Sequence, residues 1–362
     1  MNKTINDDIE GEKVINKIDI NSALTIKNAV FIDVRSPKEF AEGTIPGAIN
    51  IPLLDNNERI VVGTIYKQQS PEEAKVKGLE FISYKLVDIY KEVLKLSHQY
   101  SNVIIFCWRG GLRSASVVNL LTELGIKTQQ LIGGYKSYRK EVMNFFDNLP
   151  MDYSFVVLHG LTGVGKTEMI EALEEKGIAT LDLEDLAQNS GSVFGNVNYQ
   201  YNKVPQKQFE SELYHRFLML NSKNIIVESE SSRIGAVHIP KNLYNRILDG
   251  KHILLETSME GRINRLVNAY ASYDSTEHKD ILKEAISKLE KRFGTQKTNE
   301  CLKLIDNGEY EKVTKELITN YYDPLYNKSI DHLESNIKIS FEDINDAIDE
   351  IVSYYSQLEG KI

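Results

Sequence analysis

The residues best suited to do chemistry are gathered in two short glycine-bearing stretches. The first is Cys107-Trp108-Arg109-Gly110-Gly111-Leu112-Arg113, followed by Ser114. A cysteine placed between a strand end and a helix start meets the unpaired N–H groups and the positive dipole end of that helix, which favour thiolate over thiol. Arg109 and Arg113 add fixed charge, and Gly110 and Gly111 let the backbone curl its amides toward a bound anion. The stretch reads as a nucleophilic cysteine beside an anion pocket; the competing reading is an inert cysteine ending a core strand. The second stretch is Gly160-Leu161-Thr162-Gly163-Val164-Gly165-Lys166-Thr167, a complete G-x-x-x-x-G-K-T pattern. Its amides would wrap a di- or triphosphate, Lys166 would neutralise the outer phosphate, and Thr167 stands where a hydroxyl can hold Mg2+. No Asn-Lys-x-Asp guanine-reading tetrad follows it, so the pattern specifies a phosphate ligand and not a nucleoside.

Both stretches need a strand before them and a helix after them, and the apolar pattern supplies these. Val103 to Phe106 reads as a buried strand and residues 115–121 as a helix; Ser154 to Leu158 and residues 168–176 do the same for the second stretch. Earlier, residues 30–34 read as a strand and 36–42 as a short helix with Ser36 at the N-cap and Pro37 at the first helical position. A short strand over 48–51, a helical segment within 53–101 and a strand over 128–132 follow. A last helix of this half begins near Tyr135. Pro150 then breaks the pattern, giving expected domains of 1–147 and 148–362. The second half alternates strands at 179–183, 224–227 and 252–255 with helices at 206–220 and 241–248. It turns helical over 262–270 and 279–293, with one late strand at 337–341. The predicted class is α/β: an N-terminal domain with a mostly parallel sheet, then a P-loop domain with a helical C-terminal part.

Several further residues are candidates. Asp182 and Glu228, at strand ends, could hold Mg2+ through water, and Glu230 and Arg233 join Glu228 in a loop that reads as a site edge or as a solvated loop. The glycine-bounded loop 191–195 could approach a ligand. The aromatic run Tyr321 to Tyr326 could stack on a ligand or simply pack. Arg262, Arg265, Lys291 and Arg292 could present a basic face to RNA, with a solvated helix surface as the equal alternative.

Totals bound the remainder. A chain of 362 residues is long for one core, and 41% hydrophobic with 26% charged residues is a globular composition. No apolar run approaches the ~20 residues of a membrane span, and the first residues lack a signal peptide's apolar core, so a cytoplasmic protein is expected. Two cysteines, Cys107 and Cys301, offer neither a disulfide framework nor a CxxC metal pair. A net charge of −9 argues against indiscriminate nucleic-acid binding while leaving room for a local groove that holds a structured RNA.

The first half resembles a rhodanese domain: Asp33-Val-Arg-Ser-Pro-Lys-Glu-Phe40 and residues 43–52 match its opening signature, with Thr44 where histidine is common, and Cys107 occupies the sulfur-carrier position. Five residues separate Cys107 from Arg113, one more than in Cys-x4-Arg rhodanese loops, as in the related cysteine phosphatases. The whole chain resembles the tRNA 2-selenouridine synthases, through residues 62–67, 107–114, 133–136, the P-loop, 183–187, 191–195, 228–231, 233–235 and Tyr322-Asp-Pro324. Asn189-Ser190 stand where that family often has His-Arg. The resemblance implies a transferase that converts wobble-position 2-thiouridine of tRNA to 2-selenouridine. Geranyl diphosphate first alkylates the sulfur, and selenium from selenophosphate then replaces the S-geranyl group. It implies diphosphate at the P-loop, Cys107 as an S-selanylcysteine intermediate with Arg109 and Arg113 on the anion, and no tightly bound cofactor. Mg2+, a contact with a selenophosphate-producing enzyme, the tRNA chosen and the oligomeric state stay open. The rival readings are an ATP-dependent sulfurtransferase acting on tRNA or a small molecule, and a non-catalytic P-loop/rhodanese regulator.

Overall fold

The computed structural model describes residues 16–189, 203–271 and 276–360. They form two compact units, one up to Asn144 and one from Phe145. The division lies inside the helix Gly134–Asp147 rather than at Pro150, because Phe145 and Phe146 pack with Tyr153, Tyr214 and Phe217 at ring-centroid distances of 5.1–6.4 Å.

The first unit is built on a parallel sheet of β1 (Lys17–Ile18), β2 (Ala29–Asp33), β3 (Ile49–Asn50), β4 (Asn102–Phe106) and β5 (Thr128–Leu131), in the order β1-β5-β4-β2-β3. Val103, Ile104, Ile105 and Phe106 of the central strand are all buried, as a parallel strand covered on both faces requires. The chain leaves β2 toward β3 on one side and reaches β4 on the other, so the strand order reverses between β2 and β4. The carboxyl ends of parallel strands at such a reversal open a crevice for ligands. Cys107 stands there, beside the Asp33-Val34-Arg35 end of β2, and Val34 N–H donates to Phe106 O at 3.0 Å. Ser36 caps the helix Pro37–Ala41 in a full capping box with Glu39. The segment 53–101 folds as three helices, Asn56–Gln68, Pro71–Ser83 and Leu86–Gln99; the last sets Ile89 and Val93 into the sheet's core. Asn16-Lys-Ile-Asp19 does spell the guanine-reading tetrad, but it lies here, as β1 and the Asp19 cap of the helix Ile20–Thr25.

A buried ion pair holds the β2 end. Arg35, 1% exposed, meets the Asp33 carboxylate through Nε (2.9 Å to both oxygens) and Nη2 (2.5 Å), and Nη2 also donates to Gly43 O at 2.8 Å. Thr44, at the position where rhodaneses commonly carry histidine, donates its hydroxyl to Asp33 Oδ2 at 3.0 Å. Asn50 Nδ2 bridges the Asp33 and Arg35 carbonyls at 2.8 and 2.9 Å. The guanidinium lies 4.1 Å from the centre of the Tyr135 ring, which belongs to the helix that follows β5.

The second unit is again a parallel sheet: β6 (Ser154–His159), β7 (Thr180–Leu181), β8 (Asn224–Glu228), β11 (Lys251–Glu256) and β12 (Ile337–Ser340), ordered β12-β11-β6-β8-β7. A small antiparallel hairpin, β9 (Arg233–Ile234) with β10 (Val237–His238), stands apart from it. The helices Lys166–Glu175 and Ile344–Glu359 bring Met169, Ile170, Leu173, Ile348 and Ile351 into one core with Ile226 and Ile253. The helical C-terminal part has its own core around Leu282, Ile286, Cys301, Ile305 and Leu317. The helix expected over 279–293 is interrupted: Leu289 N bonds Ile286 O at 2.9 Å, a tighter closure that ends the helix Thr276–Ser287 and starts Glu290–Phe293. The helix Tyr310–Leu317 runs through a π-helical turn, Ile318–Tyr322, into Asp323–Asp331. No helix among the described residues is long and apolar enough to cross a membrane.

Removing one partner of a buried ion pair strands the other without solvent, at a cost of about 3–5 kcal/mol. Arg35→Met is expected to lower stability by that order, read from urea unfolding of the full chain through Trp108, the single tryptophan. Arg35→Met with Asp33→Leu should regain part of the loss; an unchanged midpoint for the single variant would deny the pair its anchoring role.

Candidate functional site

In the first unit Cys107 is 3% exposed at the carboxyl end of β4. Its Sγ lies 3.3 Å from Ser114 Oγ, which also reaches Gly111 O at 3.3 Å. Burial alone would raise the thiol's pKa. The Ser114 hydroxyl and N–H, the Arg113 charge and the Gly111 N–H outweigh it and hold the thiol below its ordinary value. Arg113 is oriented by Glu39, Nη1 to Oε2 at 3.0 Å, and the same oxygen meets Arg59 Nε and Ser36 N, both at 3.3 Å. Burial pulls the Glu39 carboxyl upward, yet Arg113 and Arg59 hold it below its usual range. Arg109 and Leu112 are exposed on the loop, and Trp108 is half-buried with its ring 5.8 Å from Tyr135.

The loop is braced by the helix Gly134–Asp147. Tyr135 and Lys136 N–H donate to Cys107 O and Trp108 O, both at 2.9 Å. Gly134 (φ 58°) permits this approach: a Cβ there would overlap the Cys107 carbonyl oxygen and the Gly110 nitrogen. Gln130 on β5 supports the loop from beneath, its Nε2 at 2.8 Å from Gly110 O, 3.2 Å from Gly111 O and 2.9 Å from Ser114 Oγ.

In the second unit the P-loop joins β6 to the helix Lys166–Glu175, with Gly165 (φ 100°) at the helix N-cap. Lys166 Nζ rests 3.3 Å from Gly160 O, and Thr167 is exposed in the first turn. Arg262, 4% exposed, donates from Nε to Thr162 O at 2.8 Å and grips Asp323 in a bidentate pair (3.0 and 2.5 Å). This corrects both readings of Arg262, as RNA face or solvated surface: it is an internal brace of the loop. Asp323 comes from the Tyr322-Asp-Pro324 stretch just after the π-helical turn. Arg265 lies against the Phe341 ring at 5.1 Å and donates to Glu342 O, whereas Lys291 and Arg292 are exposed on another helix, so the four do not make one face. Tyr321 packs on Tyr322 and on Phe293, which answers the first part of the aromatic run in favour of packing, whereas Tyr326 is exposed.

Immediately before the loop, His159 Nε2 lies 2.9 Å from His252 Nδ1, and His252 Nε2 lies 3.1 Å from Leu248 O. The carbonyl can only accept, so His252 carries its proton on Nε2 and accepts from His159 Nε2. Burial, with His252 and Lys166 nearby, pushes His159 down to about 4.

Asp182 and Glu228 come together at the ends of β7 and β8, but both are occupied as helix caps. Glu228 Oε1 accepts from Leu183 and Glu184 N–H at 2.6 and 2.9 Å, and Asp182 Oδ1 accepts from Asp185 N–H at 2.7 Å. Burial raises Asp182 to about 6; burial and then Asp182 raise Glu228 well above the carboxylate range. Glu230 is pushed up to about 8 by burial and Glu184, against the pull of Lys166. Among the described residues no group of three or more His, Cys, Asp or Glu is arranged to hold a metal ion. Arg233 is exposed and donates to Gly235 O at 3.0 Å within its own hairpin, away from this group. Asn189 packs its amide against Gly235; Ser190 and residues 191–195 lie outside the described residues. Cys301 is buried, its thiol pushed up to about 11 by burial and Glu316.

Glu39, Gln130, Asp323 and the His159–His252 pair were not expected as site residues. Each acts through a partner brought close by tertiary structure. Only the Glu39 capping box and the Asp323-Pro324 dipeptide carry any local signal.

Two family models match the chain: that of the tRNA 2-selenouridine synthase AAA domain over residues 153–358 and that of the rhodanese-like domain over 18–141. Among curated relatives named tRNA 2-selenouridine synthase, that of Hydrogenovibrio crunogenus is 30% identical over 92% of this chain and 97% of its own. That of Shewanella woodyi is 30% identical over 90% and 94%, and that of Nitrosomonas europaea 29% identical over 88% and 94%.

Asp323→Ala leaves Arg262 buried and unpaired, so it should cost about 3 kcal/mol in stability and weaken inorganic pyrophosphate binding measured by calorimetry. Unchanged pyrophosphate affinity in a folded variant would separate Arg262 from the loop's function. A second expectation concerns pH. His159 binds its proton more weakly folded (about 4) than unfolded (6.5), so stability falls as pH drops from about 6.5 to about 4. The loss should be roughly 2–3 kcal/mol. His159→Asn should flatten that window in urea titrations followed by circular dichroism; an unaltered slope would place the titration elsewhere.

Proposed function

Since the chain belongs to the tRNA 2-selenouridine synthase family, a family of tRNA-modifying enzymes, we propose that it converts wobble-position 2-thiouridine of tRNA to 2-selenouridine in two steps, one for each loop. In the first, the thiocarbonyl sulfur attacks the prenyl carbon of geranyl diphosphate, and diphosphate leaves. The P-loop amides and Lys166 hold that diphosphate as charge develops on it, the arrangement that stabilises a leaving anion most effectively. Alkylation turns the C2 substituent into a better leaving group. In the second step the selenium of selenophosphate attacks C2 and expels geranyl thiolate, and hydrolysis of the Se–P bond releases phosphate and leaves the 2-selenouridine. Cys107 is the nucleophile that handles selenium, with Arg113 and the loop amides on the tetrahedral anion and Arg109 at the exposed rim.

The observation that supports this reading best is the presence, in one chain of this family, of a thiolate-favouring cysteine in a Cys-x5-Arg loop and a separately braced phosphate loop. Asp182 and Glu228, the carboxylates expected to hold Mg2+, accept backbone N–H groups, which favours a diphosphate held by amides and Lys166 over one held through a protein-bound metal ion. No step is assigned to Mg2+, and no tightly bound cofactor is invoked.

The test supplies 2-thiouridine tRNA with geranyl diphosphate and then selenophosphate, following the nucleoside by mass. Cys107→Ser should accumulate the S-geranyl nucleoside and make no selenium product; Lys166→Ala should slow geranylation, by about 100-fold. Selenation by Cys107→Ser would remove Cys107 from the second step. Tight ATP binding without prenyl diphosphate binding would favour an ATP-dependent sulfurtransferase instead.

A further inference from the structure

Ser114 sits between three groups that compete for its one proton and two lone pairs. Gln130 Nε2 stands 2.9 Å from its Oγ, Cys107 Sγ is at 3.3 Å and Gly111 O at 3.3 Å. The Gln130 amide is oriented without ambiguity, because the same nitrogen faces two carbonyl oxygens, Gly110 O at 2.8 Å and Gly111 O at 3.2 Å, which accept only from a donor. Gln130 therefore donates to Ser114 and occupies one lone pair.

Two hydrogen-bonding states remain, and both are fully satisfied. With a neutral Cys107, the thiol S–H donates to the second lone pair of Ser114 Oγ, and the hydroxyl proton goes to Gly111 O. With a thiolate, the hydroxyl swings to Sγ, and Gly111 O keeps the Ala115 N–H as its donor at 3.1 Å, while the two Gln130 N–H bonds serve Gly110 O and Ser114 Oγ. The exchange needs only a rotation of the Ser114 O–H bond. An environment that satisfies both protonation states can supply a hydrogen bond to the charged one without stranding a buried acceptor in the other.

We propose that Ser114 is a catalytic residue, whose hydroxyl donates to Cys107 Sγ when the sulfur is charged, and that Gln130 is the positioning residue that directs it there. The proposal rests on Cys107 being the nucleophile of the reading above, and is independent of which selenium donor it meets. The other charged groups on the surrounding elements are differently engaged. Asp33 and Arg35 at the end of β2 pair with each other, Arg113 pairs with Glu39, and Arg109 and Lys136 are exposed. Ser114 is thus the side chain in hydrogen-bond contact with the sulfur.

The full-length protein is treated with iodoacetamide across pH 5 to 10, and labelling of the Cys107 peptide, resolved by mass from that of Cys301, gives the thiolate titration. Ser114→Ala should move the midpoint up by about one unit, a roughly tenfold loss of labelling at pH 7. Ser114→Thr, which keeps the hydroxyl, should restore most of it. Gln130→Met, which leaves the hydroxyl but removes its orienting donor, should shift the midpoint part of the way. It also serves as the test if Ser114→Ala does not fold. An unchanged midpoint in Ser114→Ala overturns the role of Ser114, and an unchanged one in Gln130→Met overturns that of Gln130. A wild-type Cys107 that titrates as an ordinary thiol or resists labelling would instead undo its standing as the nucleophile.

Discussion

A buried arginine, paired with one aspartate and donating a further N–H to a backbone carbonyl, holds each functional loop region of this protein. In the first unit Arg35 pairs with Asp33 and reaches Gly43 O. In the second Arg262 pairs with Asp323 and reaches Thr162 O within the P-loop itself. Desolvating such a pair is costly, and its gain lies in direction: a guanidinium fork fixes two partners at defined angles where an apolar contact would allow sliding. Arg35 also lies against Tyr135, whose own N–H braces Cys107 O, so the β2 end and the cysteine loop share one support.

The same plan recurs in both units. A parallel sheet directs a central strand into a glycine-bearing turn, a helix begins at once, and the turn sits at the carboxyl edge where amide groups converge. The units differ in what lies at the centre of the turn. At Cys107 the groups gathered around the sulfur are donors: Ser114, Gly111 and Arg113. Past the second turn they are acids, Asp182, Glu228 and Glu230, raised by burial and by neighbouring carboxylates, with Glu230 within electrostatic reach of Lys166. The first turn favours a charged sulfur; the second carries a lysine at the start of its helix.

Much of this was legible in the sequence because it is local. The capping box at Ser36, the apolar runs of β4 and β6, and both glycine turns are written in contiguous residues, and the folded elements follow them to within a residue or two. The supports were not legible. Gln130 looks like any polar residue of a half-buried strand until β5 lies beside β4, and Arg262 looks like a surface arginine until the π-helical turn brings Asp323 to it. Residues that act through a partner tens of positions away leave no pattern at fixed spacing. The break after Ser287 was missed for a different reason: the apolar period continues through it, and only the shortened hydrogen bond ends the helix.

Lys166 and the Glu230 carboxyl act on each other. Lys166, together with the Ser231 N–H, draws Glu230 toward ionisation, against burial and Glu184. An anion that takes up the Lys166 charge withdraws that help and adds its own repulsion, so Glu230 gains proton occupancy as the site fills. A phosphate ligand bound there would then take up hydrogen ions at about pH 8 and above, where Glu230 is still partly ionised, and its heat of binding would depend on the ionisation enthalpy of the buffer that supplies them.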